Sequence, residues 1–229
     1  MQSLPLFPLH VVLFPKMPLP LHIFEDRYKE MIRLCLSEGR DFGVLLINEG
    51  EDTLEKGPKV IPHRVGTIAR IRAINPDESR EEIDILVEGV RRFKLLESFT
   101  GEDAYLIGNV EMLNDDPFDS PEIPRLMDKI ESLFRQYFEI LLAQTGMDLP
   151  EFNLPRDPEE LSFVIAAVLD SDNEFRQSLL EMTDTHCRLA IESERLEAEL
   201  SQIKTAPPQV LYEQTMIDAE RRKDFHSRN

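Results

Sequence analysis

The residues that could carry chemistry are scattered along this chain and do not form motifs. Nucleotide hydrolysis needs a Gly-rich loop ending in Gly-Lys-Ser/Thr, and the nine glycines occur in no such context. Nucleophilic catalysis needs a serine or cysteine beside a base, and no Gly-x-Ser-x-Gly elbow is present. His186 and Cys187 are adjacent, but neighbours on a helix point in different directions. The sequence therefore predicts no catalytic residues and no enzyme.

Metal-ligating residues are equally dispersed. The five histidines stand apart, and neither cysteine has a second cysteine two to four residues away. We therefore predict no metal site and no cofactor. Cys35 and Cys187 fall in patterns typical of helix cores, so both are expected to be buried free thiols. A disulfide is not expected in a reducing compartment.

The elements that must position these residues begin with an apolar stretch interrupted by prolines, which runs from Leu4 to Tyr28. The prolines exclude a continuous helix, so the apolar pieces must be short, extended strands entering a core. The same stretch could instead form an apolar capture surface. Composition alone favours the strand interpretation.

A β-rich region follows this entry. A helix is predicted from Glu25 to Glu38 with a left-handed cap at Gly39, and Glu25 to Arg27 should supply a cap and an ion pair that fix it. The lack of a βαβ rhythm favours a closed or nearly closed, mostly antiparallel barrel. Strands are predicted over Phe42–Ile47, Gly66–Ile74, Glu82–Val87, Phe93–Phe99 and Tyr105–Leu113, with a hairpin turn at Asn75-Pro76-Asp77 and a bend or bulge at Gly89.

Composition changes at Asn114, and the rest of the chain is predicted to be helical. We predict a barrel domain over residues 1–115, a helical bundle over 116–206 and a tail over 207–229. For the tail, three alternatives stay open: a short helix, disorder, or contact with another subunit. Helix starts are predicted at Ser120 with Pro121, at Asp157 with Pro158, at Ser171 with Glu174 as a capping box, and at Thr183 to Thr185, with Pro207 and Pro208 ending the last helix.

The charge distribution bears on the partner. The formal charge is -18, of which residues 1–113 carry -5 and residues 114–229 carry -13, so long-range repulsion makes nucleic acid an unfavourable partner. The start lacks a basic leader and no segment has the apolar length to cross a bilayer, so we expect a cytoplasmic protein without membrane contact. Basic residues on the strands are expected to solvate an outer face; they are Arg70, Arg72, Arg91, Arg92 and Lys94.

Six pieces in fixed order resemble the Lon-protease N-terminal domain family. They are LPLFPL, LFP, PLPLHIFEDRY, FGVLL at Phe42 to Leu46, VGTIARI at Val65 to Ile71 and GVRRF at Gly89 to Phe93. The resemblance covers about the first 113 residues strongly and the helical stretch to about residue 204 more weakly. It implies an α+β fold: a PUA-like, mostly antiparallel β pseudo-barrel with one short helix, followed by a C-terminal helical bundle. It also implies a recognition part, since the chain ends before the family's ATPase and peptidase modules could fit.

The leading hypothesis is a non-catalytic module that binds polypeptides, including unfolded or degron-like segments, alone or beside a separate protease. A barrel left partly open would offer an edge for strand addition. The expected contacts are Leu54, Val60 and Ile61 in a long connection and Phe118 near the linker. A PUA-like RNA or small-ligand binder using Arg91, Arg92 and Lys94 is the alternative, and a small hydrolase is a third. The sequence does not define the oligomeric state.

Overall fold

The computed structural model describes residues 2–49, 60–77, 82–100, 105–117, 120–145 and 153–205. The strands are β1 (Gln2–Leu9), β2 (Pro18–Ile23), β3 (Phe42–Glu49), β4 (Ile61–Pro62), β5 (Val65–Asp77), β6 (Glu82–Thr100) and β7 (Leu106–Met112). The helices are α1 (Asp26–Glu38), α2 (Ile123–Thr145), α3 (Pro158–Val168), α4 (Asn173–Glu181) and α5 (Thr185–Thr205).

The chain divides into two compact units. Residues 1–114 together with 170–183 form the first unit, which holds all the strands, α1 and α4. Residues 115–169 together with 184–229 form the second, which holds α2, α3 and α5. The domain boundaries expected from the sequence stay a prediction; they are 1–115, 116–206 and 207–229. That prediction does not include the return of residues 170–183 to the first unit.

Five strands of the first unit form a closed ring. They run in the order β1, β7, β6, β5, β3, with antiparallel neighbours, and a parallel pairing of β3 with β1 closes the ring. β2 is attached to the first half of β6, and β4 to β3. The predicted α+β fold with a mostly antiparallel barrel is confirmed. The expectation that the barrel is left open for strand addition is wrong for the ring itself, because β1 and β3 pair.

Two apolar clusters stabilise this unit. One joins Leu6, Phe93 and Val110 from β1, β6 and β7. The other joins Phe7 of β1 to Met31 of α1. Since successive residues of a strand point to opposite faces, β1 contributes Leu6 to one cluster and Phe7 to the other. The proline-punctuated start therefore forms core strands, as its composition favoured.

Helix α1 ends where the sequence predicted. Gly39 has a φ of 63°, in the left-handed region that glycine adopts without strain, and the Arg40 N–H donates to the Cys35 carbonyl at 2.9 Å. The predicted ion pair is also present, with Arg27 Nη2 2.8 Å from Glu25 Oε2. The Glu25 side chain makes no capping hydrogen bond, so that part of the prediction is wrong.

Strands β5 and β6 are longer than predicted. β5 continues to Asp77, which pairs with Glu82, so Asn75, Pro76 and Asp77 belong to the strand and the turn predicted there is wrong. β6 is one strand because Gly89 does not interrupt it. The register shifts there, with Ile68 opposite Arg91 and Ala69 opposite Gly89.

Gly89 is required by a close backbone approach. A Cβ at this position would lie 2.1 Å from the Phe14 carbonyl oxygen. The Gly89 N–H donates to the Met17 carbonyl at 3.0 Å, and the Gly89 carbonyl accepts from the Lys16 N–H at 2.7 Å. The predicted bulge at Gly89 thus fastens the loop before β2 to the middle of β6.

Helix α4 is held on the first unit by polar contacts. Asn173 Nδ2 donates to the His10 carbonyl at 2.7 Å and Gln177 Nε2 to the Val65 carbonyl at 3.0 Å. Arg92 Nη1 donates to the carbonyls of Leu180 at 2.7 Å and Met182 at 2.8 Å. Arg92 is buried, so the expectation that it solvates an outer face is wrong.

Of the four helix starts predicted in the second half, those of α3 and α5 agree with the structure. In contrast, α2 begins at Ile123 and not at Pro121, and the cap of α4 is shifted by one residue. Asp157 Oδ1 accepts from the Glu160 N–H at 2.9 Å and caps α3, as predicted. The cap of α4 is Asp172, which accepts from the Phe175 N–H at 2.8 Å, and not Ser171. The predicted stop at Pro207 and Pro208 lies outside the described residues.

Candidate functional site

Strands β2, β6 and β5 have one side whose residues are exposed, within the part of the first unit that the structure describes. Along β6, Ile83 and Ile85 are buried while Asp84 and Leu86 are exposed, which is the period of two expected for a half-buried strand. Along β2, Leu21 is buried and Pro20 is exposed. We call the outward-pointing side of these strands the outer face.

An apolar row crosses the middle of the outer face. Pro20 of β2 lies opposite Leu86 of β6, and Leu86 lies opposite Ala73 of β5. All three are exposed, and Leu86 keeps 40% of its surface accessible. Directly opposite residues of paired strands touch through their side chains. The apolar row, Pro20, Leu86 and Ala73, is therefore a continuous contact surface.

An acidic cluster flanks the apolar row, and we define it as His22, Asp84 and Glu82. His22 lies opposite Asp84, two residues beyond Pro20. Its Nδ1 is 2.7 Å from Asp84 Oδ1 and its Nε2 is 3.4 Å from Glu82 Oε2. The Asp84 side chain is 56% exposed, so one carboxylate stays accessible from solvent. One imidazole thus faces two carboxylates.

Phe24 lies next to the acidic cluster, on the side away from the apolar row. It follows the end of β2, is 44% exposed, and has its ring centroid 6.1 Å from that of His22. Exposed aromatic side chains are typical anchors in protein interfaces. The apolar row and the acidic cluster therefore follow one another along β2, and an exposed aromatic ring lies beside the cluster just after the strand ends.

On the other side of the apolar row, two arginines are each paired with a carboxylate. Arg72 donates from Nε and Nη2 to the two carboxylate oxygens of Glu88, each at 3.1 Å, and this hydrogen bonding lowers the pKa of Glu88. Arg70 makes a similar pair with Asp41, at 3.1 and 2.8 Å. These arginines are exposed as predicted, but each is matched by a carboxylate.

The RNA-binding alternative relied on Arg91, Arg92 and Lys94. Arg91 and Lys94 are exposed, whereas the guanidinium of Arg92 is directed to the end of α4. The three residues therefore do not form a continuous basic surface. Arg91 Nη2 also donates to Asn114 Oδ1 at 2.5 Å.

Two of the contact residues expected from the sequence, Val60 and Ile61, lie outside the outer face. Ile61, on β4, is 58% exposed, and its neighbour Val60 is buried. Leu54 and Phe118 lie outside the described residues, so the four-residue site stays a prediction. Sequence reasoning missed the outer face, although the alternation in PLPLHIF and EIDILVE was a signal that could have indicated it.

A buried polar network ties together part of the second unit. Arg188 Nη2 is 2.6 Å from Asp115 Oδ2, with their side chains 0% and 3% exposed, and Thr185 Oγ1 donates to the same carboxylate. Arg188 Nε donates to Ser162 Oγ at 2.6 Å, and Ser162 Oγ donates to Glu192 Oε1 at 2.8 Å. Burial raises the pKa of Glu192 well above its ordinary value. Because the serine is inaccessible, the network is structural and supplies no nucleophile.

Three groups at the start of α5 lie close together. One ligand-type atom from each of Asp184, His186 and Cys187 lies within 4.8 Å of the others. Asp184 Oδ1 caps the helix by accepting from the Cys187 N–H at 2.9 Å, which lowers the pKa of Asp184, while the carboxylate raises the pKa of the Cys187 thiol. A helix N-terminus disfavours cations, and the cap accounts for the arrangement.

The two cysteines differ in environment. Cys35 is buried as predicted, and desolvation raises its pKa to about 11. Cys187 is exposed, so the expectation of a buried thiol there is wrong. Its position at the first turn of α5, next to the cap, is the reason.

Among the helices that the structure describes, none combines the length and the apolar character required to cross a bilayer.

Comparison with curated proteins finds relatives along most of the chain. A Lon protease of Syntrophus aciditrophicus is 28% identical over 195 residues, which are 82% of this chain and 24% of that protein. A Lon protease of Desulfosudis oleivorans is 28% identical over 206 residues, which are 89% of this chain and 25% of that protein. The chain spans about a quarter of the length of these relatives.

Comparison with solved structures finds the same fold. The Lon N-terminal domain protein of Xanthomonas campestris is 28% identical, with a TM-score of 0.62 over 83% of this chain and 96% of its own. The N-terminal domain of a Mycobacterium avium complex Lon protease has a TM-score of 0.60 over 86% of this chain and 98% of its own; at 19% identity it shows the fold alone.

A family model matches almost the whole described chain. It is that of the ATP-dependent protease La (LON) substrate-binding domain, and it covers residues 3–198. The match includes both units, from β1 into α5. The resemblance carried by the six sequence pieces is thereby confirmed, and the chain belongs to the family of Lon substrate-binding domains.

Proposed function

We propose that the first unit binds extended polypeptide segments on the outer face and does so without catalysis. The observation that carries the proposal is the apolar row of Pro20, Leu86 and Ala73, which crosses three paired strands and stays exposed. Apolar residues placed in register on a sheet surface, with charged groups around them, are typical of interaction sites. Membership of a substrate-binding family supports a polypeptide as the ligand.

Recognition through the face is favoured over addition of a strand at an edge. β2 and β4 are attached outside the closed ring, and each contains proline, which has no N–H to donate. Pro18 and Pro20 remove two donors from β2, and Pro62 is half of β4. Proline on an edge strand blocks pairing with another chain. Side-chain contacts on the outer face therefore dominate the proposed binding.

The test is a binding measurement with purified full chain and fluorescent peptides from unfolded proteins. Leu86→Ser should weaken binding of apolar peptides about fivefold, since a leucine side chain buried in a contact contributes on the order of 1 kcal/mol. Leu96→Ser is the matched control, because Leu96 lies on the same strand, is 36% exposed and is not in the apolar row. Equal affinities of both variants, or equal binding of apolar and polar peptides, would refute the proposal.

We further propose that bound segments are passed to proteolytic machinery. The support is that the similar curated proteins are Lon proteases and that the match covers about a quarter of their length. A degradation assay with a Lon protease and an unfolded substrate tests this. Added chain should change the degradation rate, the Leu86→Ser variant should change it less, and identical rates with both would contradict the proposal.

A further inference from the structure

We propose that the outer face selects a particular pattern: a basic residue with an apolar residue two positions before it and another two positions after it. This inference rests on the proposed function and specifies its ligand. It follows from the order of the apolar row, the acidic cluster and Phe24 along β2 and just past its end.

The first step is geometric. Pro20 and His22 are two residues apart on β2 and so about 6.6 Å apart, and the Phe24 ring centroid lies 6.1 Å from that of His22, just after the strand ends. A peptide lying extended over this surface has the same repeat, because every second side chain points to the same side. Side chains i, i+2 and i+4 of the peptide therefore meet the apolar row, the acidic cluster and the exposed ring in turn.

The second step is electrostatic. The acidic cluster contains two carboxylates and one imidazole, so it carries a net negative charge whichever protonation state His22 has. The exposed Asp84 leaves carboxylate oxygens accessible to a donor from the ligand. A Lys or Arg at position i+2 gains a charge-assisted hydrogen bond there, whereas an acidic residue is repelled.

The third step concerns the other flank. The arginines near the apolar row are each engaged by a carboxylate, Arg72 by Glu88 and Arg70 by Asp41. They offer no uncompensated positive charge to an acidic peptide. The outer face therefore favours a cation on the ligand residue that meets the acidic cluster. It does not favour an anion on the ligand residue that meets the arginines.

The experiment compares four short peptides of otherwise identical sequence by fluorescence anisotropy with the full chain. Their cores are Leu-Thr-Lys-Thr-Phe, Leu-Thr-Gln-Thr-Phe, Leu-Thr-Glu-Thr-Phe and the permuted Leu-Lys-Thr-Thr-Phe. The first should bind about tenfold more tightly than the Glu peptide and about threefold more tightly than the permuted one. The preference over the Glu peptide should shrink as salt is raised.

The variant Asp84→Asn with Glu82→Gln should remove the preference for Lys over Glu and leave the Gln peptide unchanged. Glu111→Gln, an exposed carboxylate on β7, is the control and should keep the preference. If the unmodified chain binds the Lys and Glu peptides equally while Leu86→Ser still weakens binding, this inference alone is overturned. If the unmodified chain binds none of the four peptides, the proposed function is overturned as well.

Discussion

Arg92 illustrates how a single side chain can be misassigned by local pattern. Arg92 follows Arg91 on β6, and strict alternation places the two side chains on opposite faces of the sheet. Nothing in this local pattern indicates that a guanidinium is buried. Arg92 and Phe93 pair in regular register with β5, so they point to opposite faces. Both are buried because Phe93 joins an apolar cluster while Arg92 contacts the end of α4. Its carbonyl acceptors, on Leu180 and Met182, are 88 and 90 residues away in the chain. A partner that distant leaves no trace in the local sequence.

Arg92→Ala should destabilise the first unit by about 2–4 kcal/mol, because two buried carbonyls lose a charged donor. Arg91→Ala is the matched control, since Arg91 is exposed, and it should change the free energy of unfolding by less than about 0.5 kcal/mol. Urea denaturation with hydrogen exchange of α4 amides measures both. Equal stability of the two variants would show that Arg92 does not hold α4.

Glu192 should make the second unit less stable as pH rises. Its pKa is raised by burial, so the folded state keeps a proton that the unfolded chain loses, and the free energy of unfolding falls from about pH 4.3 up to the folded pKa. Glu192→Gln should remove this slope and stabilise the protein at pH 7 by about 1 kcal/mol. Thermal unfolding between pH 4 and 8 measures it, with exposed Glu194→Gln as control. A wild-type slope retained in the Glu192→Gln variant would contradict this origin.

At the scale of elements, the sequence predicted those whose signals are local. Gly39 and Asp157 mark the end of α1 and the start of α3 because both caps depend on residues within one turn. The predicted cap of α4, Ser171, is one residue away from the observed cap, Asp172. Both residue types are good caps, and the backbone conformation determines which of them caps the helix. The outer face was missed for a different reason: alternation predicts an exposed side but does not show whether another element covers it.

Gly89→Ala tests the close approach that shapes β6. The added Cβ would lie 2.1 Å from the Phe14 carbonyl oxygen and 2.9 Å from its carbon, so backbone must move and two hydrogen bonds are strained. We expect a loss of about 2–4 kcal/mol in urea denaturation. Gly39→Ala should cost only about 1 kcal/mol, because its φ is left-handed but nothing lies within 4 Å of the added Cβ. A smaller loss at Gly89 than at Gly39 would contradict the close-approach argument.

At the scale of the whole molecule, the fold class was predictable while the path of the chain was not. Composition changes at Asn114, and the first of the two segments that form the first unit ends at that residue. The chain then returns, and residues 170–183 complete the first unit through Asn173, Gln177 and the carbonyls that accept from Arg92. A helix that belongs to a barrel has no different composition from one that belongs to a bundle.

This return predicts that residues 1–114 alone make an unstable barrel. Without 170–183, the first unit loses the hydrogen bonds donated by Asn173 and Gln177 and the two carbonyls that accept from Arg92, each bond worth about 1 kcal/mol. Hydrogen exchange of β6 amides should therefore be at least tenfold faster in the truncated chain than in the full chain. Protection equal to that of the full chain would show that α4 is dispensable.

The truncated chain also separates the role of the charge from that of the missing helix. Arg92→Met keeps most of the side-chain volume and removes the guanidinium, so it should leave exchange of β6 amides in residues 1–114 nearly unchanged, because the α4 carbonyls are absent there. In the full chain the same substitution should speed exchange, because there the guanidinium has its acceptors. An effect confined to the full chain is expected only if the end of α4 supplies partners of Arg92. Equal acceleration in both chains would mean that Arg92 stabilises the barrel through contacts other than those with α4.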